Sequence, residues 1–241
     1  MKKIVFLTGA GISAESGVST FRDSGGLWEN HDVMEVASAE GWMKNPEVVL
    51  DFYNERRAQL ERTEANAAHC AIAALEKDYR VTVITQNVDN LHEKAGSHHV
   101  IHLHGELTKV RPEDAYTEAD RYDESRIRDI GYSAVRMGDT DERGVQYRPH
   151  IVFFGEAVPK MTEAVAELAE ADYMVIVGTS LVVQPAASLW RFTPVGSPVL
   201  VVDPKETPID GEEEVISIRD KATTGVVRAI GMIKSMDKGA E

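Results

Sequence analysis

The chain has 241 residues, is 43% apolar and carries a formal charge of −14. That charge argues against nucleic acid as the main partner and favours basic proteins or peptides. No apolar run approaches the ~18 residues needed to span a membrane, and the single cysteine, Cys70, excludes an internal disulfide and fits a reducing cytoplasm. The length suits one large domain, or one domain with a small insertion.

The first predicted element is a buried parallel strand, Ile4-Val5-Phe6-Leu7, with no leader before it. Thr8-Gly9-Ala10-Gly11-Ile12-Ser13-Ala14-Glu15-Ser16-Gly17 follows. Gly9, Gly11 and Ala14 fit the dinucleotide fingerprint, in which missing Cβ atoms let backbone approach a diphosphate. The residues after the glycines are expected to start a helix whose free N–H groups face that diphosphate. Phe21-Arg22-Asp23-Ser24-Gly25-Gly26-Leu27-Trp28 then reads as a long loop over the ligand, with an aromatic, a cation and an indole.

Asn45-Pro46 opens a helix through Val49, Phe52 and Tyr53 to about Leu60, with a cap followed by proline. A second helix is expected over Ala65–Lys77, and its alanine-rich run predicts Cys70 as a small buried hydrophobe. Val81–Thr85 is a β-branched strand, followed at once by polar Gln86-Asn87-Val88-Asp89-Asn90-Leu91-His92. Parallel sheets place their ligands at such carboxyl ends. Val100–Leu103 and then His104-Gly105-Glu106-Leu107 come next. Arg111–Arg148 is dense in charge, with Tyr116, Tyr122, Ile127, Ile130, Tyr132 and Met137 as packing candidates, and reads as a small, partly mobile lobe. Alternation is expected to resume with Ile151–Phe154 and a helix from Pro159 to Ala169. Strands Tyr173–Val177, Pro198–Val202 and Val215–Ile218 follow, and a final helix over Ala222–Met236. The pattern predicts an α/β fold, a doubly wound parallel sheet with helices on both faces.

Five ordered motifs carry more than any one alone. They are Gly9-Ala10-Gly11-Ile12-Ser13, the Thr85–His92 stretch, His104-Gly105, Phe154-Gly155-Glu156 and Gly178-Thr179-Ser180-Leu181. Together they resemble the sirtuin family of NAD-dependent protein lysine deacylases, over about Lys3 to Ile233. The resemblance implies a large Rossmann-like part (about 1–33, 62–107 and 149–241) and a small domain from insertions at about 34–61 and 108–148. It implies acyl transfer from a modified lysine to the ADP-ribose of NAD. NAD would be a consumed co-substrate, with nicotinamide, free lysine and O-acyl-ADP-ribose as products. Acylated proteins or peptides would be the partners. An ADP-ribosyltransferase on the same scaffold and a non-catalytic NAD sensor are the alternatives.

By that resemblance His104 is the general base, acting through ribose hydroxyls, and an imidazole pKa near 6.5 suits the task. Gln86, Asn87 and Asp89 would hold the nicotinamide ribose and carboxamide. Gly9, Ala10, Gly11, Ala14 and Glu15 would line the phosphate turn, and Phe21, Arg22 and Trp28 belong to the cofactor loop. Gly178, Thr179 and Ser180 face the adenosine side. Asp203 stands where the family carries asparagine, and Ala222 follows Lys221 at the late adenine contact. Val152, Phe153, Phe154, Gly155 and Glu156 match the edge that pairs with substrate peptide. Family members hold a zinc with four cysteines in the region matching Thr108–Arg148, but no cysteine follows Cys70 and Arg111–Arg148 has no histidine. No zinc is expected, with packing and ion pairs holding the lobe instead.

Tyr53 and Arg56 stand three apart and share a helix face, whereas Arg57, the neighbour most easily confused with Arg56, points roughly 100° away from it. A phenol and a guanidinium together can receive a carboxylate. The pair resembles the marker of the sirtuin subclass that prefers succinyl-, malonyl- or glutaryl-lysine. Small Ala14 would leave room for a longer acyl chain.

Overall fold

The computed structural model describes residues 1–18, 27–28, 31–115 and 123–239. The chain opens with strand β1 (Lys3–Thr8), two short strands β2 (Leu27–Trp28) and β3 (His31–Asp32), and short helices α1 (Val33–Val36) and α2 (Ala39–Lys44). Helices α3 (Pro46–Glu61) and α4 (Ala67–Ala74) precede strand β4 (Arg80–Thr85), helix α5 (Leu91–Lys94) and strand β5 (Val100–His102). Strands β6 (Gly105–Pro112), β7 (Arg128–Asp129) and β8 (Tyr147–Ile151) lead to helix α6 (Met161–Leu168). Strands β9 (Tyr173–Val177), β10 (Val199–Val202) and β11 (Val215–Ile218) and helix α7 (Ala222–Gly239) complete the chain.

Six strands form one parallel sheet in the order β11-β10-β9-β1-β4-β5. β1 lies at the point where the strand order reverses, between β4 and β9. Its six residues are all buried, so it reads as a continuous apolar run and not an alternating one. One core packs α4 and α7 on one face, with Ile4, Phe6, Ile72, Val175 and Val226. A second lies under α6 on the other face, with Val5, Leu7, Leu168 and Ile176. A third core stands apart and joins α1–α3 to β6 and β8 through Trp42, Phe52, Tyr53, Leu107, Tyr147 and Phe153.

α3 starts where expected because the Asn45 side chain accepts from the Val48 N–H and Pro46 fills the first turn. Four expectations need correction. First, no α-helix opens after Gly11: the chain makes two three-residue 3-10 turns, Ala10–Ile12 and Ala14–Ser16, ending at left-handed Gly17 (φ 86°). The Ile12 carbonyl, which an α-helix would give to Ser16, instead accepts from Asn66 Nδ2 at 2.8 Å. Second, part of the expected loop is ordered, because Leu27–Trp28 pairs antiparallel with His31–Asp32. Third, the segment near Ile151 does not rejoin the parallel sheet: Tyr147–Ile151 pairs antiparallel with β6, which also pairs with β7. Fourth, Cys70 is exposed; α4 buries Ala68, His69 and Ile72, and Cys70 falls on its other side.

The charged lobe is built around β6, β7 and β8 and a cluster of ion pairs. Arg126 bridges Asp114 and Asp141 at 2.6 Å each, Arg143 pairs with Asp114, and Arg128 pairs with Glu142. Val135, Ile130 and Tyr132 pack against the third core. Tyr116 and Tyr122 lie outside the described residues.

Candidate active site

The site forms at the carboxyl ends of β1, β4 and β9, where open α/β sheets have a crevice. Gly9 and Gly11 donate their N–H groups to the Val177 and Gly178 carbonyls at 3.0 and 2.9 Å. A Cβ on Gly11 would stand 2.6 Å from Gly178 Cα, and one on Gly178 (φ +60°) 2.5 Å from the Ile12 nitrogen. The two glycine turns therefore interlock only without side chains. Ala10 lies beside them, half-buried, and Ala14 and Glu15 are exposed. The Glu15 carboxylate accepts from the Thr223 N–H at 3.1 Å, tying the turn to the start of α7 and buried Ala222.

The stretch after β4 is bound to both turns. Gln86 Nε2 donates to Thr179 Oγ1 at 3.0 Å. Asn87 Nδ2 donates to the Gly9 carbonyl (3.2 Å) and the Ser13 hydroxyl (3.1 Å). Ser13 in turn donates to Asp89 Oδ2 at 2.9 Å, and Asp89 Oδ1 accepts from the Leu91 N–H. Ser13 is thus the bridge between Asn87 and Asp89; its place in the glycine motif was the only sequence signal for it. Burial raises the Asp89 carboxyl above its usual range, opposed by the Leu91 and Ser13 bonds.

His104 is half-buried, and its Nδ1 lies 3.0 Å from the Gln86 carbonyl. A carbonyl only accepts, so Nδ1 carries the proton and Nε2 is left as the basic atom. Burial lowers its pKa, which the Gln86 contact offsets in part, so the ring is neutral and able to take a proton at neutral pH. Two further groups escaped the sequence assignment. His102 Nδ1 lies 3.0 Å from the Asn87 carbonyl and Nε2 lies 2.8 Å from Glu93. Burial disfavours its charge, but the Glu93 carboxylate wins and holds His102 above the ordinary histidine range. The sequence signal was slight: His102 stands two residues before His104, at the end of β5.

The remaining assigned residues fall around this centre. Asp203, buried at the end of β10, accepts from the Lys205 N–H, and Ser180 is half-buried beside Thr179. Val152 donates its N–H to the His104 carbonyl at 2.9 Å, linking the following segment directly to the base. Phe153 is buried, its N–H donated to Glu156; Phe154 is half-exposed, its N–H donated to Ala37. Gly155 is exposed with φ +91°. The Glu156 side chain turns inward, pairing with Arg148 at 2.6 Å and Arg111 at 3.1 Å, so only its backbone is left for a peptide. The Trp28 indole packs edge-on against Phe52 and Tyr53 at 5.0 and 6.1 Å. Phe21 and Arg22 lie outside the described residues.

On α3, Tyr53 is fully buried and its hydroxyl has no hydrogen-bond partner. Arg56 has its guanidinium over the Phe52 ring at 4.7 Å and bonds Glu55 through Nη2, while Nε and Nη1 are buried and unpartnered. No bond joins the two side chains, so both keep donors unused. The chain's residues do not fit the zinc that the family resemblance implies: there is one cysteine, and among the described residues no three His, Cys, Asp or Glu side chains are placed to hold a metal. No helix among them is long and apolar enough to cross a membrane.

The model of the Sir2 family matches residues 9–185. A protein of Bacteroides thetaiotaomicron named NAD-dependent protein deacylase is 49% identical over 94% of this chain and 95% of its own. A deacylase of the same name from Helicobacter pylori is 49% identical over 92% and 93%. A Sir2 homologue solved with NAD superposes with a TM-score of 0.83 at 36% identity, over 98% of this chain and 90% of that one. A Sir2 complex with p53 peptide and NAD superposes at 0.76 and 30% identity, over 95% and 92%. With its interlocked glycine turns and its neutral histidine beside them, the chain belongs to the Sir2 family.

Proposed function

We propose that this protein is an NAD-dependent protein lysine deacylase that prefers acyl groups ending in a carboxylate, such as succinyl or malonyl, and also accepts acetyl. The observation that carries the preference is the pair of buried, unpartnered donors on one face of α3, the Tyr53 hydroxyl and Arg56 Nε and Nη1. A buried donor left without a partner costs about 1–3 kcal/mol, and an arriving carboxylate would offset that loss at both residues. NAD, the co-substrate, supplies an ADP-ribose carbon activated by its bond to nicotinamide. Gly9, Ala10, Gly11, Ala14 and Glu15 would hold the diphosphate, with Phe21, Arg22 and Trp28 as the loop over it. Gly178, Thr179, Ser180, Asp203 and Ala222 would hold the adenosine. Gln86, Asn87 and Asp89 would fix the nicotinamide ribose, and His104 Nε2 would take the proton from a ribose hydroxyl. Val152, Phe153, Phe154, Gly155 and Glu156 would guide the peptide. The lysine amide bond and the bond from nicotinamide to ribose would both break, one water would be consumed, and the acyl group would end on a ribose oxygen.

The third core, which joins residues 33–60 to 107–153, supports a small domain from the two insertions at about 34–61 and 108–148. The Asp114–Arg126–Asp141 cluster supports a lobe held without zinc. The test is incubation with NAD and succinyl-, malonyl-, glutaryl- and acetyl-lysine peptides, read by mass spectrometry. The expected products are nicotinamide, free lysine and O-acyl-ADP-ribose, with kcat/KM higher for succinyl than for acetyl. Arg56→Met should lower desuccinylation about ten- to a hundredfold and deacetylation far less. A wild type that prefers acetyl-lysine, or equal losses on both substrates in the variant, would refute the preference. ADP-ribose attached to protein would point to transferase chemistry.

A further inference from the structure

The face of α3 that carries Tyr53 holds one more polar group. Arg57, one helical turn after Tyr53, has none of its surface exposed. Its Nε donates to the Leu107 carbonyl at 2.7 Å and its Nη1 to Asn54 Oδ1 at 2.8 Å. Its Nη2 is buried without a partner, and among the described residues no carboxylate pairs with it. Burying a guanidinium lowers its pKa, to about 10, yet it stays charged at neutral pH. An unpaired buried charge is costly, and its field reaches the groups packed beside it.

Burial is the largest influence on the Tyr53 phenol and pushes its pKa up; the charges that act on it are Arg148, Glu156 and Arg57. Arg148 and Glu156 act as an ion pair of opposite sign, 2.6 Å apart. Arg57 has no such partner, so its field at Tyr53 is left standing. Low polarity around the buried residues keeps that field from being screened. On the reading of the acyl pocket given above, we propose that Arg57 is a positioning residue for acyl selectivity, its buried and uncompensated charge beside Tyr53 favouring acyl chains that end in a carboxylate. It does not touch the acyl group. It makes the Tyr53 hydroxyl a stronger donor, and its own bonds to Asn54 and Leu107 hold its charge in place.

The test compares Arg57→Met, which removes the charge, with Arg57→Lys, which keeps the charge and loses the planar fork. Both are assayed for kcat/KM on succinyl- and acetyl-lysine peptides, after melting temperature and ADP-ribose binding establish folding. The ratio of succinyl to acetyl kcat/KM should fall about tenfold in Arg57→Met and stay within about threefold of wild type in Arg57→Lys. If Arg57→Met does not fold, Arg57→Gln, which still donates to Leu107, takes its place. A ratio unmoved in the neutral variant, with both activities falling together, makes Arg57 a structural residue and overturns the inference. A ratio that falls as far in the lysine variant overturns it too, since charge is then not the cause. Both outcomes presuppose a wild type that prefers succinyl-lysine; a wild type without that preference refutes the broader reading instead.

Discussion

His102 and His104 aim their Nδ1 atoms at consecutive backbone carbonyls, Asn87 and Gln86, each at 3.0 Å. Two residues apart on one chain, they clamp the same loop with their pKa values moved in opposite directions. Burial disfavours charge on both, but the Glu93 carboxylate overcomes it and raises His102, while His104, without a carboxylate, is lowered. One ring therefore fixes the loop and the other is free to accept a proton.

His104→Ala should abolish deacylation and leave NAD binding largely intact, since the phosphates and adenosine are assigned to other residues. With His104 as the proposed base, activity should need the neutral imidazole and fall as pH drops through its pKa. Because burial lowers that pKa, the acid limb of kcat/KM should lie below the ordinary histidine value of about 6.5. An acid limb above pH 7 would remove His104 as the base.

Glu93→Gln should lower stability by about 1–3 kcal/mol and slow turnover by loosening the Asn87 loop. Glu93 is depressed in the fold, so its contribution is present above its unfolded pKa and lost in acid. His102 is raised, so its contribution is present below about pH 6.5 and lost as pH rises through the folded value. The melting-temperature gap between wild type and variant should accordingly be wider at pH 6 than at pH 9. A gap independent of pH would mean the pair is not ionised.

Gly178→Ala places a Cβ 2.5 Å from the Ile12 nitrogen at φ +60°. Backbone must move to accommodate it, which separates the two glycine turns. Calorimetry should show NAD affinity falling by tenfold or more, on the order of the 1–3 kcal/mol of strain at such a site, with unaltered affinity arguing against a cofactor at that junction.

Arg126→Met removes both bridges to Asp114 and Asp141. Asp141 is held down to about 2, chiefly by its Arg126 bond, so in the wild type the cluster persists above the unfolded aspartate pKa and fails as pH falls toward 2. Hydrogen exchange in residues 123–147 should accelerate in the variant at neutral pH, and in the wild type only in acid. Identical exchange in the two proteins at neutral pH would show that packing alone holds the lobe.

Much of the frame was legible because it depends on local pattern. β9 and β11 fall where their apolar runs predict, and Asn45-Pro46 opens α3 as capping chemistry requires. Gly9, Gly11 and Gly178 were legible for the opposite reason, as places where no side chain fits. The misses come from contacts distant in sequence. The helix expected after Gly11 gives way because Asn66, more than fifty residues on, takes the Ile12 carbonyl. Helix angle sets Arg57 aside as the neighbour of Arg56, and its burial, with the Leu107 carbonyl and Asn54 receiving it, had no sequence signal. The Ile151 strand looked like its parallel counterparts; only pairing with β6 makes it antiparallel.

Leu107 spends both of its backbone groups across the site. Its N–H goes to the Val88 carbonyl, within the loop that carries Asn87 and Asp89, and its carbonyl receives Arg57 from α3. One residue thus joins the segment assigned to NAD to the helix assigned to the acyl chain. A ligand that shifts one segment has a direct route to the other, and thermodynamic linkage makes any such effect reciprocal. The dinucleotide should change the affinity for an anionic acyl peptide by the same factor by which that peptide changes the affinity for the dinucleotide.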